Sequence, residues 1–257
     1  MYKASTYGEL HPNLLFEDFV SISTDTTVFN PKAKYKILLQ LEPPEVRNTT
    51  INIIRDSKNF DLILAWNEDI INNCPNAKKF LFGSCWIDHN NFKPNKKNEI
   101  SFLMSNKSFA PGHRFRHSVW DFLKGYNNNI FTIKKIKTPP RIESKNIIFE
   151  NAKFSIIIEN VKRVNWITEK LIDCFATKTV PIYYGCPNVN EWFDMDGIIK
   201  FNTVEELNNI LNNLLPEDYD KKMNSIERNL KKSIPYYDYF QRVSNEIKIL
   251  IDGKNNK

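Results

Sequence analysis

Apolar and polar residues alternate in blocks along the chain, and the blocks have the lengths of strands and helices. Short apolar runs predict three buried strands, at 35–41, 60–66 and 79–82. Two stretches between them predict helices, at 49–56 and 67–73. Strands that alternate with helices indicate βαβ units and a parallel sheet. The first thirty residues show no such pattern and are predicted to be irregular.

A polar stretch at 92–98 interrupts this alternation and is the predicted linker. Beyond it, further strands are predicted at 99–104, 130–133, 154–159, 180–184 and 198–201. Helices are predicted at 115–125, 168–177, 203–215, 217–232 and 236–252. The third of these helices begins with Thr203 as its N-cap and Glu206 three residues later, which is a capping box.

The predicted fold is therefore α/β, with two Rossmann-like layers facing each other. The predicted domains are 1–95, 96–235 and 236–257, the last being a C-terminal helix and tail. This architecture places a ligand in the crevice at the carboxyl ends of the strands.

Composition narrows the class of protein. The chain has 257 residues, of which 41% are hydrophobic and 26% charged, as in a globular protein. The net charge of +6 suits an anionic partner, but no arginine-rich tail appears, so nucleic acid is not expected. No apolar run is long enough to span a membrane, and the first residues do not resemble a signal peptide, so a cytoplasmic location is expected.

The segment 154–185 carries the most chemical information. A buried strand delivers Glu159 and Asn160 at its carboxyl end, and Thr168 can cap the helix that follows. Lys170, in the first turn, opposes the helix dipole, which an anion bound there would explain. The alternative is an ordinary Glu–Lys pair on the surface.

This segment resembles the donor-binding signature of glycosyltransferase family 10, the α-1,3/1,4-fucosyltransferases. The matching positions, in order and spacing, are Phe154, 158–160, 166–171 and 180–185. The departures are Ile158, Val161 and Trp166, where the family usually has Phe, Ser and Tyr.

A second block, 102–106 followed by 113–123, resembles the family's strand, Ser-Asn loop and helix. Arg116 takes the place of the family's diphosphate-binding arginine, and a guanidinium can grip phosphate oxygens in a fork. Three more basic side chains are expected to strengthen the positive field: His113, Arg114 and His117. The alternative is a solvated basic face.

In the N-terminal half, 41–45 resembles the family segment that carries the proposed general base. Glu42 ends a predicted strand, and an inverting transfer needs a carboxylate to take the acceptor's proton. Glu45 is the second candidate, and an ordinary polar strand end is the alternative. The family's opening strand is not evident before residue 35.

Metal binding is not expected. The cysteines, Cys74, Cys85, Cys174 and Cys186, form no close pair. Asp194 and Asp196 form a DxD pattern, which binds metal in another glycosyltransferase fold, but a solvated turn is the favoured interpretation.

The resemblance implies a GT-B-like, inverting, metal-independent glycosyltransferase. It would move fucose or a related sugar from a GDP-sugar, used as co-substrate without other cofactors, to a glycan hydroxyl. Arg116 and Lys170 would neutralise the leaving diphosphate, and Glu169 would hydrogen-bond the ribose or the sugar. The other residues implied at the donor site are Glu159, Asn160, Trp166, Thr168 and Gly185.

Three alternatives remain open on the sequence: a transferase for another nucleotide sugar, a non-catalytic carbohydrate-binding module, and a nucleic-acid binder suggested by charge alone.

Overall fold

The computed structural model describes residues 20–140 and 142–255. These residues form two compact units. The first unit contains the described residues up to Phe82 together with those from Asp238 onward, and the second contains the described residues of 83–237.

The first unit is built on a four-stranded parallel sheet in the order β1-β2-β3-β4. The strands are β1 Val20–Thr24, β2 Tyr35–Leu39, β3 Leu62–Ala65 and β4 Ala77–Lys79. The helices are α1 Thr50–Asp56, α2 Glu68–Asn73 and the C-terminal α8 Tyr239–Asn255. Leu38, Ile63 and Ala65 from the sheet pack with Ile53 of α1 and Ile70 of α2 in one buried apolar cluster.

The second unit is built on a five-stranded parallel sheet in the order β6-β5-β7-β8-β9. The strands are β5 Lys97–Ser105, β6 Thr132–Thr138, β7 Ala152–Ile158, β8 Val180–Tyr184 and β9 Ile199–Lys200. The helices are α3 Pro111–Gly125, α4 Asn146–Phe149, α5 Glu169–Ala176, α6 Val204–Asn213 and α7 Pro216–Ser233.

The order of the second sheet creates a switch point between β5 and β7. The chain leaves β5 through α3 to reach β6 on one side, and then returns to β7 on the other side of β5. In open parallel sheets, ligands bind at the carboxyl ends of strands at such a point. Ser105 and Glu159, which end or follow these two strands, therefore lie where a ligand is expected.

The structure corrects the expectation of an irregular N-terminal segment. Residues 20–24 form β1, which pairs in parallel with β2 from Val20↔Tyr35 to Thr24↔Leu39. This edge strand has only two buried side chains, Val20 and Ser23, so it lacks the apolar run of a buried strand. Residues 20–24 form a strand because they pair with β2, and their own sequence pattern does not predict one. The part of the prediction that concerns residues 1–19 lies outside the described residues.

The polar stretch 92–98 belongs to the second unit, and the compact units change over at 82/83 and 237/238, not at the predicted 95/96 and 235/236. Lys96 Nζ donates to the carbonyls of Phe149 and Ala152 at 2.7 and 2.9 Å. At the other end of the chain, Tyr239 of α8 packs edge-on against Phe80 of the first unit.

None of the helices in the described residues is both long enough and apolar enough to cross a membrane.

The N-terminus of α6 confirms Thr203 as the N-cap and provides a first test, although the Glu206 side chain bonds the residue before the cap and does not complete the predicted capping box. Thr203 Oγ1 accepts the Glu206 N–H at 3.1 Å, and Glu206 Oε2 accepts the Asn202 N–H at 2.7 Å. We expect Thr203→Ala to lower the free energy of unfolding by about 1 kcal/mol, measured by urea denaturation. Thr203→Ser keeps the hydroxyl and is the control; an equal loss in both variants would contradict the capping role.

Candidate functional site

A fully buried carboxylate lies at the carboxyl end of β7. Glu159 accepts hydrogen bonds from Thr168 Oγ1 at 2.8 and 2.9 Å and from the Thr168 N–H at 3.2 Å. The ammonium of Lys170 lies 3.4 Å from Glu159 Oε2. Thr168 is also the N-cap of α5, because its side chain accepts the Lys170 N–H. The end of β7 and the start of α5 are thus joined through one carboxylate.

Lys170 lies in the first turn of α5, where its charge opposes the helix dipole. Its ammonium is surrounded by oxygen atoms of the site. Its Nζ lies 3.1 Å from Thr168 Oγ1 and 3.2 Å from Glu169 Oε1, in addition to its contact with Glu159. Its side chain is 23% exposed, so Lys170 is only partly shielded from solvent. Both of its carboxylate partners lie within the site and neither is a remote surface group.

A second lysine, which sequence reasoning missed, completes this network. Lys145 Nζ lies 3.3 Å from Glu169 Oε1 and 3.0 Å from Asp173 Oδ2. Burial opposes the charge on Glu169, but the ammonium groups of Lys170 and Lys145 outweigh it and hold the pKa of this carboxyl below its usual range. Burial likewise opposes the charge on Lys145, but Asp173 and Glu169 raise its pKa. Both groups are therefore ionised at neutral pH.

Arg116, on the buried face of α3, is largely engaged with the protein. Its Nε and Nη2 donate to the carbonyl of Ile158 at 2.9 and 2.5 Å, and Nη2 also donates to Asn160 Oδ1 at 2.9 Å. Within the described part of the chain, Nη1 has no hydrogen-bond acceptor. A bidentate grip through Nε and Nη2 is not available in this conformation, and Nη1 is the edge left for a ligand.

His113 does not strengthen the positive field, contrary to expectation. Its Nδ1 accepts the backbone N–H of Ala110 at 3.3 Å, at the start of α3. Burial and the nearby charges of Arg116, Lys107 and Lys170 lower its pKa to about 4. The imidazole is therefore neutral at pH 7 and acts as part of the helix start.

Two glycines make room for the site. A Cβ on Gly112 would lie 1.8 Å from the carbonyl oxygen of Glu159, because α3 approaches β7 closely enough for the Gly112 N–H to donate to Asn160 O at 2.7 Å. A Cβ on Gly185 would lie 2.3 Å from Tyr183 Oη and 2.7 Å from Glu159 Cγ. Gly185 thus accommodates the Glu159 side chain, and Gly112, which sequence reasoning missed, accommodates its backbone.

Trp166, which the family resemblance implies at the donor site, lies inside the protein. Its side chain is buried, with 2% of the residue exposed, so its ring faces lie against the protein. Glu159, Thr168 and Glu169 are buried with it, while Asn160 and Lys170 are partly accessible. The accessible edge of this cluster is therefore formed by polar and charged groups.

A cavity of about 650 Å³ opens at the carboxyl ends of β5 and β6. It is lined by Ser105 at the end of β5, Thr138 at the end of β6, and Lys145. Trp86 forms another part of the wall, with Lys145 Nζ 4.2 Å from its ring centroid. Lys145 lines the cavity and also contacts Glu169, so it links the cavity wall to the charged network at the start of α5.

Comparison with known proteins assigns the family. The sequence profile described as glycosyltransferase family 10 (fucosyltransferase) C-term matches residues 93–223, just over half of the 257 residues. The chain belongs to glycosyltransferase family 10. The matched region contains the whole of the network described above.

A curated relative, the alpha-(1,3)-fucosyltransferase FucT of Helicobacter pylori, is 26% identical over 121 residues. That match covers 45% of this chain and 24% of the relative, so the chain spans about a quarter of the relative's length.

Crystal structures of alpha1,3-fucosyltransferase share the fold. The structure with GDP aligns over 94% of this chain and 79% of its own, with a TM-score of 0.56 and 16% identity. The structure with GDP-fucose aligns over 86% and 76%, with a TM-score of 0.52 and 17% identity. Together with the parallel sheets, this likeness confirms the predicted α/β, GT-B-like fold class.

The DxD pattern of this family 10 chain has a structural role. Asp194 pairs with Arg228 of α7 at 2.6 Å, and its Oδ1 accepts the Asp196 N–H at 3.0 Å. In the described ranges 20–140 and 142–255, no three His, Cys, Asp or Glu side chains group closely enough to hold a metal ion.

Glu42, the candidate base, lies in the first unit, just beyond the carboxyl end of β2. It is half-buried, whereas Glu45 is exposed. This position at a strand end agrees with the place that the sequence assigned to it.

The close approach at Gly112 provides a second test. Gly112→Ala must push α3 away from β7, and overpacking of this kind costs about 1–3 kcal/mol of unfolding free energy. Gly125→Ala is the matched control, because a Cβ there meets nothing within 4 Å. Alanine in that position is expected to be neutral or slightly stabilising. Thermal unfolding of the two variants measures the difference, and equal stability would refute the steric argument.

Proposed function

We propose that the protein is an inverting, metal-independent glycosyltransferase that moves fucose, or a closely related sugar, from a GDP-sugar to a hydroxyl of a glycan acceptor. The observation that carries this proposal is the chain of contacts from the 650 Å³ cavity through Lys145 and Glu169 to Lys170. This chain lies at the switch point of a parallel sheet, where such folds bind nucleotides.

The charges of this site suit a diphosphate that must leave. Lys170 and Arg116 Nη1 would donate to phosphate oxygens, and Glu169 would accept from hydroxyls of the ribose or the sugar. Glu159 would hold Lys170 in place, and Asn160 would hold Arg116. The nucleoside would occupy the cavity beside Trp86 and Lys145. Preorganised donors of this kind stabilise charge on a leaving group without reorganisation, which supports a reaction without metal.

The proposed reaction is a single displacement. The acceptor oxygen attacks the anomeric carbon and gives its proton to the Glu42 carboxylate. The bond from the anomeric carbon to the β-phosphate oxygen breaks, and its electron pair leaves with GDP. Lys170 and Arg116 stabilise the negative charge that develops on the diphosphate.

A donor screen tests the function as a whole. GDP-, UDP- and CMP-sugars are incubated with the protein with and without EDTA, and donor hydrolysis or transfer to oligosaccharides is measured. We expect turnover of GDP-fucose that EDTA leaves unchanged. Turnover of another sugar alone would identify a different donor, and GDP binding without any turnover would indicate a non-catalytic carbohydrate-binding module. Activity that EDTA abolishes and Mn²⁺ restores would overturn metal independence.

The donor site is tested by Lys170→Ala and Arg116→Ala. Each removes a charge-assisted hydrogen bond worth about 1.5–3 kcal/mol, so the Kd for GDP should rise about 10- to 150-fold in calorimetry. Lys221→Ala is the matched control, because Lys221 forms an exposed pair with Asp218 in the same unit. If both site variants bind GDP like the unchanged protein, the donor-site assignment is wrong.

The general base is tested by Glu42→Gln, which keeps the shape of the side chain and removes its basicity. Transfer should fall about 10²–10⁴-fold, while the Kd for GDP stays nearly unchanged. Glu45→Gln is the neighbouring control and should lose much less activity. A defect in Glu45→Gln alone would identify Glu45 as the base. Full activity in both variants would show that the base is another residue.

A further inference from the structure

A buried carboxylate holds the backbone from which Glu42 projects. Asp25 follows β1 and is 2% exposed. Its Oδ1 accepts the Leu41 N–H at 2.8 Å, and the Glu42 N–H lies 3.1 Å from Oδ2 and 3.3 Å from Oδ1. In addition, the Asp25 N–H donates to Leu39 O at 2.9 Å. Asp25 therefore both donates to and accepts from the backbone at the end of β2.

The other backbone groups of this loop are bound as well. Gln40 Nε2 donates to Glu42 O at 3.1 Å, and Trp66 Nε1 donates to Leu41 O at 3.2 Å. Pro43 O accepts the Val46 and Arg47 N–H groups at 2.8 and 2.9 Å. The loop that carries Glu42 is thus fixed at successive peptide units, and Asp25 is its one buried charged anchor among the contacts named here.

A carboxylate at position 25 can accept both N–H groups, although its burial is unfavourable. An ionised carboxylate is acceptor-only, so its two oxygens can accept from two neighbouring N–H groups at once. Burial and the negative charge of Glu42 raise the pKa of Asp25 to about 6, against the lowering effect of the Leu41 and Glu42 N–H groups and of Arg47. Tyr239 of α8 also faces Asp25. The φ of Asp25 is +49°, a conformation that asparagine tolerates better than most other non-glycine residues.

We propose that Asp25 is a positioning residue, which fixes the direction of the Glu42 carboxylate for proton removal from the acceptor. This inference rests on the proposed role of Glu42. A general base must lie within hydrogen-bond reach of the proton it takes, and a misplacement of about 1 Å can cost about 10²-fold in rate. Asp25 touches no reacting atom and acts only through the loop.

The experiment is a double-mutant cycle of Asp25→Asn and Glu42→Gln. Asparagine keeps the shape and tolerates the positive φ, but its amide nitrogen cannot accept the second N–H. Alone, Asp25→Asn should lower kcat about 10- to 100-fold, the scale of a lost alignment. Donor KM and the Kd for GDP should stay unchanged, because every residue proposed to hold GDP belongs to the second unit. In the Glu42→Gln background the same change should cost less than about 3-fold, because the base it positions is gone.

Asp61→Asn is the matched control. Asp61 Oδ2 also accepts a backbone N–H of β2, from Lys36 at 2.7 Å, but at the opposite end of the strand. It should leave kcat unchanged. If Asp25→Asn does not fold, judged by circular dichroism, Gln40→Met removes another anchor of the loop and takes its place in the cycle.

The outcomes separate the two proposals. A kcat within 2-fold of the unchanged protein in Asp25→Asn, with Glu42→Gln impaired, overturns the positioning role and leaves the base in place. Equal losses from Asp25→Asn in both backgrounds also overturn it, since they show a general structural defect. Full activity of Glu42→Gln refutes the base itself, whatever Asp25→Asn does.

Discussion

The second unit is organised around the buried carboxyl group of Glu159. A carboxylate removed from water is costly unless it is paired and hydrogen-bonded, and leaving it unpaired costs about 3–5 kcal/mol. Glu159 has no exposed surface, so α5 must begin where Thr168 and Lys170 can reach it. Gly185 must then lack a side chain, because a Cβ there would meet Glu159 Cγ at 2.7 Å. The position of Lys170, the proposed phosphate-binding cation, follows from this pairing.

The network at the start of α5 is balanced in charge. Its cations are Arg116, Lys145 and Lys170, and its carboxylates are Glu159, Glu169 and Asp173. A balanced site of this kind would bind the proposed diphosphate through donors held in fixed directions and not through excess charge. The mutual attraction of these groups lowers the pKa of Glu169 and raises that of Lys145, whereas burial raises the pKa of Glu159 and Asp173. Preorganisation of this kind suits a leaving group whose charge appears only during the reaction.

Donor binding and proton removal, the two proposed activities, depend on the same kind of contact, one in each unit. In each, a carboxylate that follows a parallel strand binds the start of a neighbouring segment. Glu159 accepts the Thr168 N–H at the start of α5, and Asp25 accepts the N–H groups of Leu41 and Glu42 after β2. Parallel strands end together at one edge of the sheet, so this kind of contact brings residues distant in sequence to one place.

The sequence by itself determined the βαβ alternation, the family and the order of strands and helix in 154–185. These depend on features that are local in the sequence: apolar runs, the Thr168 and Thr203 caps, and the order and spacing of the family 10 motif. Only the tertiary structure decided β1, which is defined by its partner strand, and the roles of Asp25, Gly112 and Lys145. Each of these depends on contacts between residues at least 14 positions apart, which follow from the order of the strands. The burial of Trp166 and the engagement of Arg116 with Ile158 and Asn160 depend on the same packing, which no local pattern encodes.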